Sequence, residues 1–218
     1  MMNEKPAGQG QSLEVSVVLP AYNEANKLET AVAETAKALE GFARSYEIII
    51  AEDGSTDGTD EIAAALSERY KFVKHLHREK RLGRGVALKN AFRNCNGEIL
   101  VYMDVDLATN IGQLKSLVKA VEEEEFDLAV GSRLLSESKV ARSRTRNIAS
   151  KGYNFLVRAL LGSKVRDHQC GFKAFKREAL MPLLNEVAAS HWFWDTELLV
   201  KAFRRDFKIK EIPVEWKS

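Results

Sequence analysis

Two carboxylates, Asp104 and Asp106, stand one residue apart at the end of the apolar run Ile99-Leu100-Val101-Tyr102-Met103. Such a short, nearly continuous apolar run reads as a buried strand. Ligands of open α/β sheets collect beyond the carboxyl ends of these strands. Two acids placed there repel each other unless a cation sits between or beside them. A hard divalent ion, Mg2+ or Mn2+, suits oxygen donors and shares them with substrate phosphates. A solvated Asp-x-Asp turn has the same local sequence, so the pair gains meaning from what converges on it. Tyr22, Asn23 and Glu24 follow a second apolar run, and Asp53 follows a third. In a parallel sheet these ends share one edge. There a carboxylate such as Asp53 can accept the ring N–H of a nucleobase and Tyr22 can stack on its face, while the metal holds a diphosphate. Turn chemistry alone accounts for Gly54, Asp57 and Gly58.

The elements that must position these groups alternate. Strands are expected over residues 15–20, 46–51, 72–77, 98–103 and 127–130, and helices over 26–39, 59–69, 83–94 and 111–124. Short βα connections of this kind predict an α/β fold with a mostly parallel, helix-covered sheet. Beyond Gly131 a basic loop leads to a helix over 147–161, a strand over 171–176, a helix over 195–205 and a final strand over 208–214. The first βα turn reads Pro20-Ala21-Tyr22-Asn23-Glu24, and Gly83-Arg84-Gly85 lacks a third glycine, which argues against a dinucleotide-binding oxidoreductase.

The 218 residues suffice for one full core, expected over 13–218, with 1–12 as a disordered lead. Net charge is only +2, but residues 132–178 hold twelve Lys/Arg against three Asp/Glu, which points to an anionic partner on one side. No nucleic-acid-binding motif accompanies this excess. Two cysteines, Cys95 and Cys170, fit a reducing cytosol and offer no zinc spacing with His168. His75 and His77 alternate on a strand and are expected on its exposed face. No apolar stretch reaches the roughly 18–20 residues that span a bilayer, so membrane contact would be peripheral.

Pro20-Ala21-Tyr22-Asn23-Glu24, Glu52-Asp53-Gly54-Ser55-Thr56-Asp57-Gly58-Thr59, Asp104-Val105-Asp106 and Gly131-Ser132-Arg133 together resemble the inverting family 2 glycosyltransferases of the GT-A fold. Arg166-Asp167-His168-Gln169-Cys170-Gly171-Phe172-Lys173, Trp194-Asp195-Thr196-Glu197-Leu198-Leu199 and Glu211-Ile212-Pro213-Val214-Glu215-Trp216 narrow the likeness to the polyprenyl-phosphate branch, which includes dolichyl-phosphate mannose and glucose synthases. The resemblance implies a Rossmann-like, mostly parallel central sheet with helices on both faces. Pro20, Tyr22, Glu24 and Asp53 would line the nucleotide pocket, Asp104 and Asp106 would bind Mg2+ or Mn2+ with Asp106 the more direct ligand, and Arg133 would reach the sugar nucleotide or the acceptor phosphate. The partners implied are a nucleotide sugar of the UDP-glucose or GDP-mannose type and a polyprenyl (dolichyl) phosphate, met at the cytoplasmic face of a membrane. Mannose-type members place a metal-binding Gln where this chain has Ala108, so the likeness leans to the glucosyl type. The family pattern also continues past the Trp216 position with a segment thought to close over the phosphates. A sequence ending at Ser218 therefore implies truncation or a reduced lid.

A lipid phosphate is already anionic at neutral pH, so transfer to it needs no strong base, only positioning, charge neutralisation and one in-line, inverting displacement. A glycan hydroxyl would instead need a base, for which Asp195 is the candidate. In the phosphate reading Asp195 and Glu197 would bind sugar hydroxyls, or Asp195 would merely cap its helix. A non-catalytic sugar-nucleotide-binding partner is the third reading. Arg142, Arg144 and Arg146 precede a helix whose Ile148, Phe155, Leu156, Ala159 and Leu160 share a face. These arginines would grip the acceptor phosphate, and the apolar stripe is expected to pack in the core more readily than against a membrane. Of Trp192, Phe193 and Trp194, at least one belongs in the core.

Overall fold

A computed structural model describes residues 13–123 and 125–217. The expected lead at 1–12, Glu124 and Ser218 lie outside the described residues. The order is β1 (Leu13–Ala21), α1 (Ala25–Glu40), β2 (Tyr46–Glu52), α2 (Thr59–Arg69), β3 (Val73–Leu76), α3 (Arg84–Asn94), β4 (Gly97–Met103), α4 (Leu114–Glu122), β5 (Leu128–Ser132), β6 (Lys139–Ala141), α5 (Arg144–Leu161), β7 (Phe172–Lys176), α6 (Arg177–Glu186), α7 (Trp194–Arg204), β8 (Ile209–Pro213) and β9 (Glu215–Lys217).

The main sheet runs β3-β2-β1-β4-β7-β5-β8. Its pairs are parallel except where β7 lies antiparallel between β4 and β5. Strands such as Val15–Leu19 and Ile48–Ala51 are buried along their whole length, as a sheet covered on both faces requires. One core joins α1, α2 and α4 to one face through Leu28, Val32, Leu66, Leu117 and Val121. The other joins α3, α6 and α7 to the opposite face through Leu88, Phe92, Leu180, Leu184, Trp194 and Leu198. The expected α/β architecture with helices on both faces is therefore present.

Two details depart from the expectation, and a third meets it. The final strand is two strands: β8 ends at Pro213, and β9 leaves the main sheet to pair in parallel with β6. Helix α6 was not expected, since Pro182 interrupts its ladder; burial of Ala179, Leu180, Leu183 and Leu184 against the sheet outweighs that loss. Trp194 alone of the aromatic trio is core, while Trp192 and Phe193 are exposed.

Candidate active site

β4 delivers Asp104 and Asp106 to the carboxyl edge of the sheet, in a tight loop. The Leu107 amide donates to the Asp104 carbonyl at 3.2 Å, and Leu107 itself sits at φ 49°. A left-handed leucine costs on the order of 1 kcal/mol and turns the two acids outward. β9 braces this loop: the Lys217 amide donates to the Ala108 carbonyl, and the Asn110 amide to that of Glu215. The Asp104 amide donates to Gly171, where a Cβ would overlap the Asp104 carboxylate. Asp104 is half-buried and Asp106 exposed, with its Oδ1 accepting the Ala108 amide at 3.0 Å. Asp104 Oδ1 touches Arg84 Nη2 at 2.5 Å but lies sealed from solvent without hydrogen-bond geometry. A carboxylate held by one arginine, beside a second and exposed carboxylate, is a donor set that fits a hard divalent cation.

The neighbouring strand ends bring their residues to the same edge, in roles the sequence did not foresee. Pro20 pairs in register with Ala51 inside β1, and the Asp53 amide continues the ladder to the Ala21 carbonyl. Asp53 is 3% exposed, and its two oxygens accept the amides of Leu82 and Gly83 at 2.9 and 2.8 Å. Its carboxylate therefore holds the loop before α3, where an open acceptor for a base was expected. The Tyr22 ring is half-buried, with the Arg81 guanidinium 3.7 Å from its centroid. Cation–π contact thus covers the face expected to stack on a base. Glu24 stands at the N-cap position of α1 without a side-chain cap, its carbonyl accepts the Lys27 and Leu28 amides, and its carboxylate pairs with Lys27 at 3.0 Å.

Asp195 lies in α7 and is 4% exposed. Its Oδ1 accepts from the Tyr102 hydroxyl and from Lys173 Nζ at 2.7 Å, and Lys173 also donates to the Cys170 carbonyl. Burial pushes the Asp195 carboxyl up to about 7 and the Lys173 ammonium down to about 7. This carboxylate does not cap α7, whose N-cap position is Phe193, and its Oδ1 is held by Tyr102 and Lys173. Glu197, also expected on sugar hydroxyls, accepts the amides of Ala188 and Ala189 and pairs with Lys201. Arg133, at the end of β5, forks onto fully buried Asp167 through Nε and Nη2 at 2.8 and 2.9 Å. That fork gives it a partner within the chain, and the Arg133 charge holds the Asp167 carboxyl low in spite of burial.

On the far side of the acidic loop, Arg133 and Arg142 both lie over the Trp216 ring, 5.8 and 5.9 Å from its centroid. Trp216 in turn bridges to Thr109, three residues past Asp106. Arg142 Nε is buried without a hydrogen bond, and burial together with the nearby Arg133 charge lowers the Arg142 pKa. Arg144 and Arg146 are exposed in the first turn of α5, which carries no acid there. Cations at a helix N-terminus oppose the macrodipole, so this cluster favours an anion. Helix α5 is also turned inside out. Ser150, Asn154 and Val157 face the protein, whereas Ile148, Phe155, Leu156 and Leu160 are 55–77% exposed. The expectation of an ordinary core-packing stripe is thereby overturned.

The model of the family described as Glycosyl transferase family 2 matches residues 16–184. The chain belongs to that family. It is 49% identical over 212 residues to "Glycosyltransferase AglD" of Haloferax volcanii, covering 96% of this chain and 34% of that protein. It is 35% identical to a dolichyl-phosphate beta-glucosyltransferase of Trichomonas vaginalis, covering 93% of this chain and 65% of that one. Against the human dolichyl-phosphate beta-glucosyltransferase the identity is 33%, covering 93% and 67%. The chain thus spans about a third of the first relative's length and about two thirds of the others'. In fold it is similar to glucosyl-3-phosphoglycerate synthase of Mycobacterium tuberculosis, solved with Mn2+, UDP and glucosyl-3-phosphoglycerate. That match has a TM-score of 0.72 at 24% identity, covering 94% of this chain and 71% of the other. These relatives fit the dolichyl-phosphate hexose synthase branch, and the fold is GT-A.

Two residues of the site escaped the sequence reading. Arg84, whose Nε also approaches Asp195 Oδ2 at 3.9 Å, was read only as part of a glycine turn. Lys173 interrupts the apolar strand Phe172-Lys173-Ala174-Phe175 and pairs in register with Tyr102. A lysine at a doubly covered strand position requires a buried acceptor, and that was the available signal.

Proposed function

We propose that this domain transfers a hexose, glucose in the first place, from a nucleotide sugar to a polyprenyl phosphate of the dolichyl type. The inverted helix α5 carries this reading: arginines at its start suit a phosphate head, and an outward apolar face suits the chain behind it or the lipid around it. The names of the relatives support the same acceptor class and glucose as the sugar.

Asp104 and Asp106 would hold Mg2+ or Mn2+, which when bound supplies charge neutralisation to a departing nucleoside diphosphate. Arg84, against Asp104, keeps the carboxylate aimed across the edge. Pro20, Tyr22, Glu24 and Asp53 border the nucleotide side, with Asp53 acting through the loop it holds and Arg81 positioned for the base or a phosphate. Arg142, Arg144 and Arg146 orient the acceptor phosphate, whose own negative charge makes it the nucleophile. No protein base is needed, consistent with the sealed position of Asp195. Among the described residues no helix is long and apolar enough to cross a membrane. Contact through α5 would be peripheral, on the cytoplasmic face, in keeping with two buried free thiols.

The test is incubation with a panel of nucleotide sugars, polyprenyl-phosphate vesicles and Mg2+, scored for glycolipid. Glycolipid from UDP-glucose, absent with Asp106→Ala, is the expected result. Equal yield from that variant would overturn the site, and transfer only to glycan hydroxyls would overturn the acceptor.

A further inference from the structure

At the β3 edge of the sheet, three elements bring four side chains to one point. Glu52 ends β2, Asp60 stands in the first turn of α2, His75 lies in β3, and His77 follows it. One ligand-capable atom of each lies within 4.8 Å of the others. Residues two apart on a strand face the same way, and here α2 covers that side. The Glu52 side chain is fully buried and that of His75 is 12% exposed, whereas that of His77 is 44% exposed, so the exposed face expected from sequence holds for His77 and is corrected for His75.

His77 Nδ1 is 2.8 Å from both Glu52 Oε2 and Asp60 Oδ1, so two carboxylate oxygens converge on one ring nitrogen. His75 Nε2 is 3.2 Å from Asp60 Oδ1, yet neither atom forms a hydrogen bond and both are sealed from solvent. Buried acceptors aimed at one another are costly unless a cation lies among them.

We propose that Glu52, Asp60, His75 and His77 form a second cation site that takes a borderline transition-metal ion, zinc foremost. Two imidazoles with two carboxylates suit zinc, whereas Mg2+ and Ca2+ prefer all-oxygen shells. The site is separate from the acidic loop: β3 and β4 stand three strand spacings apart, roughly 14 Å. Four protein ligands make a closed, structural shell. Its ion ties the end of β2 to α2 and β3, directly beside Asp53 and the loop that Asp53 holds.

The experiment titrates chelator-treated protein with Zn2+ alone by calorimetry and with Co2+ by visible absorption, in wild type and in Asp106→Ala, which takes one carboxylate from the acidic loop. One tight ion per chain is expected in both, with the absorption of a tetrahedral Co2+ site. The double variant His75→Gln/His77→Gln should lose more than the roughly 100-fold in affinity that even outer-shell losses reach. Asp60→Asn, a surface-helix change that leaves the core untouched, should weaken binding in the same direction and decides the matter if the double variant does not fold. Absence of tight binding in Asp106→Ala, or affinity unchanged in either ligand variant, overturns the proposal.

Discussion

Arg84 touches two carboxylates with opposite surroundings. Asp104 lies 2.5 Å from its Nη2, half-buried at an open edge beside exposed Asp106. Asp195 of α7 lies 3.9 Å from its Nε, buried against Lys173 and Tyr102 of the sheet. The Asp104 oxygen is left without a hydrogen bond, whereas the buried Asp195 oxygen accepts two. An acid held by a single arginine at a rim can respond to a ligand, whereas one held by a lysine and a tyrosine in the interior supports the wall against which the rim stands. Residue type alone does not separate the two roles; the supply of donors around each carboxylate does.

The contrast has measurable consequences. Lys173→Met should leave Asp195 uncompensated and cost about 3–5 kcal/mol in urea unfolding, largely recovered in Lys173→Met/Asp195→Leu. A loss below about 1 kcal/mol would mean that Asp195 is held neutral and would break the contrast. At the rim the pattern should invert: Asp106→Ala should lower kcat of hexosyl transfer by roughly 10²–10³-fold while changing unfolding free energy by no more than about 0.5 kcal/mol. Arg142→Gln should raise KM for polyprenyl phosphate by about tenfold, the worth of one charge-assisted hydrogen bond, and leave KM for the nucleotide sugar unchanged.

A further effect concerns pH. Buried His168 has Nδ1 2.8 Å from Asn154 Oδ1 and Nε2 2.9 Å from Ser163 Oγ, and burial pushes its pKa down from 6.5 to about 4. The unfolded chain binds the proton first as pH falls, so His168 contributes stability above about pH 6.5 that is lost on descending toward 4. Thermal unfolding across that range should show the decline, and His168→Gln should flatten it.

The parallel half of the molecule was readable residue by residue. The apolar runs at Val15–Leu19, Ile48–Ile50 and Ile99–Met103 carry their own strand signal, and their polar ends converge because parallel strands must finish on one edge. The antiparallel insertion of β7, the β6–β9 pair and α6 left little local trace. β6 and β9 hold three residues each, too short to register as a pattern, and Pro182 hid a helix that burial sustains. Side-chain destinations were harder still. Arg133 and Asp53 were assigned to ligands, yet each found a partner distant in sequence, Asp167 and the Leu82–Gly83 amides.

The amino-acid order by itself determined the alternation of strands and helices, the family and the acidic pair at the end of β4, because these are properties of contiguous stretches. Only the tertiary structure decided that Asp195 is walled in by Lys173, that α5 turns its apolar side outward, and that Glu52, Asp60, His75 and His77 meet. Burial and donor supply depend on neighbours brought together from remote positions, and no local pattern encodes them.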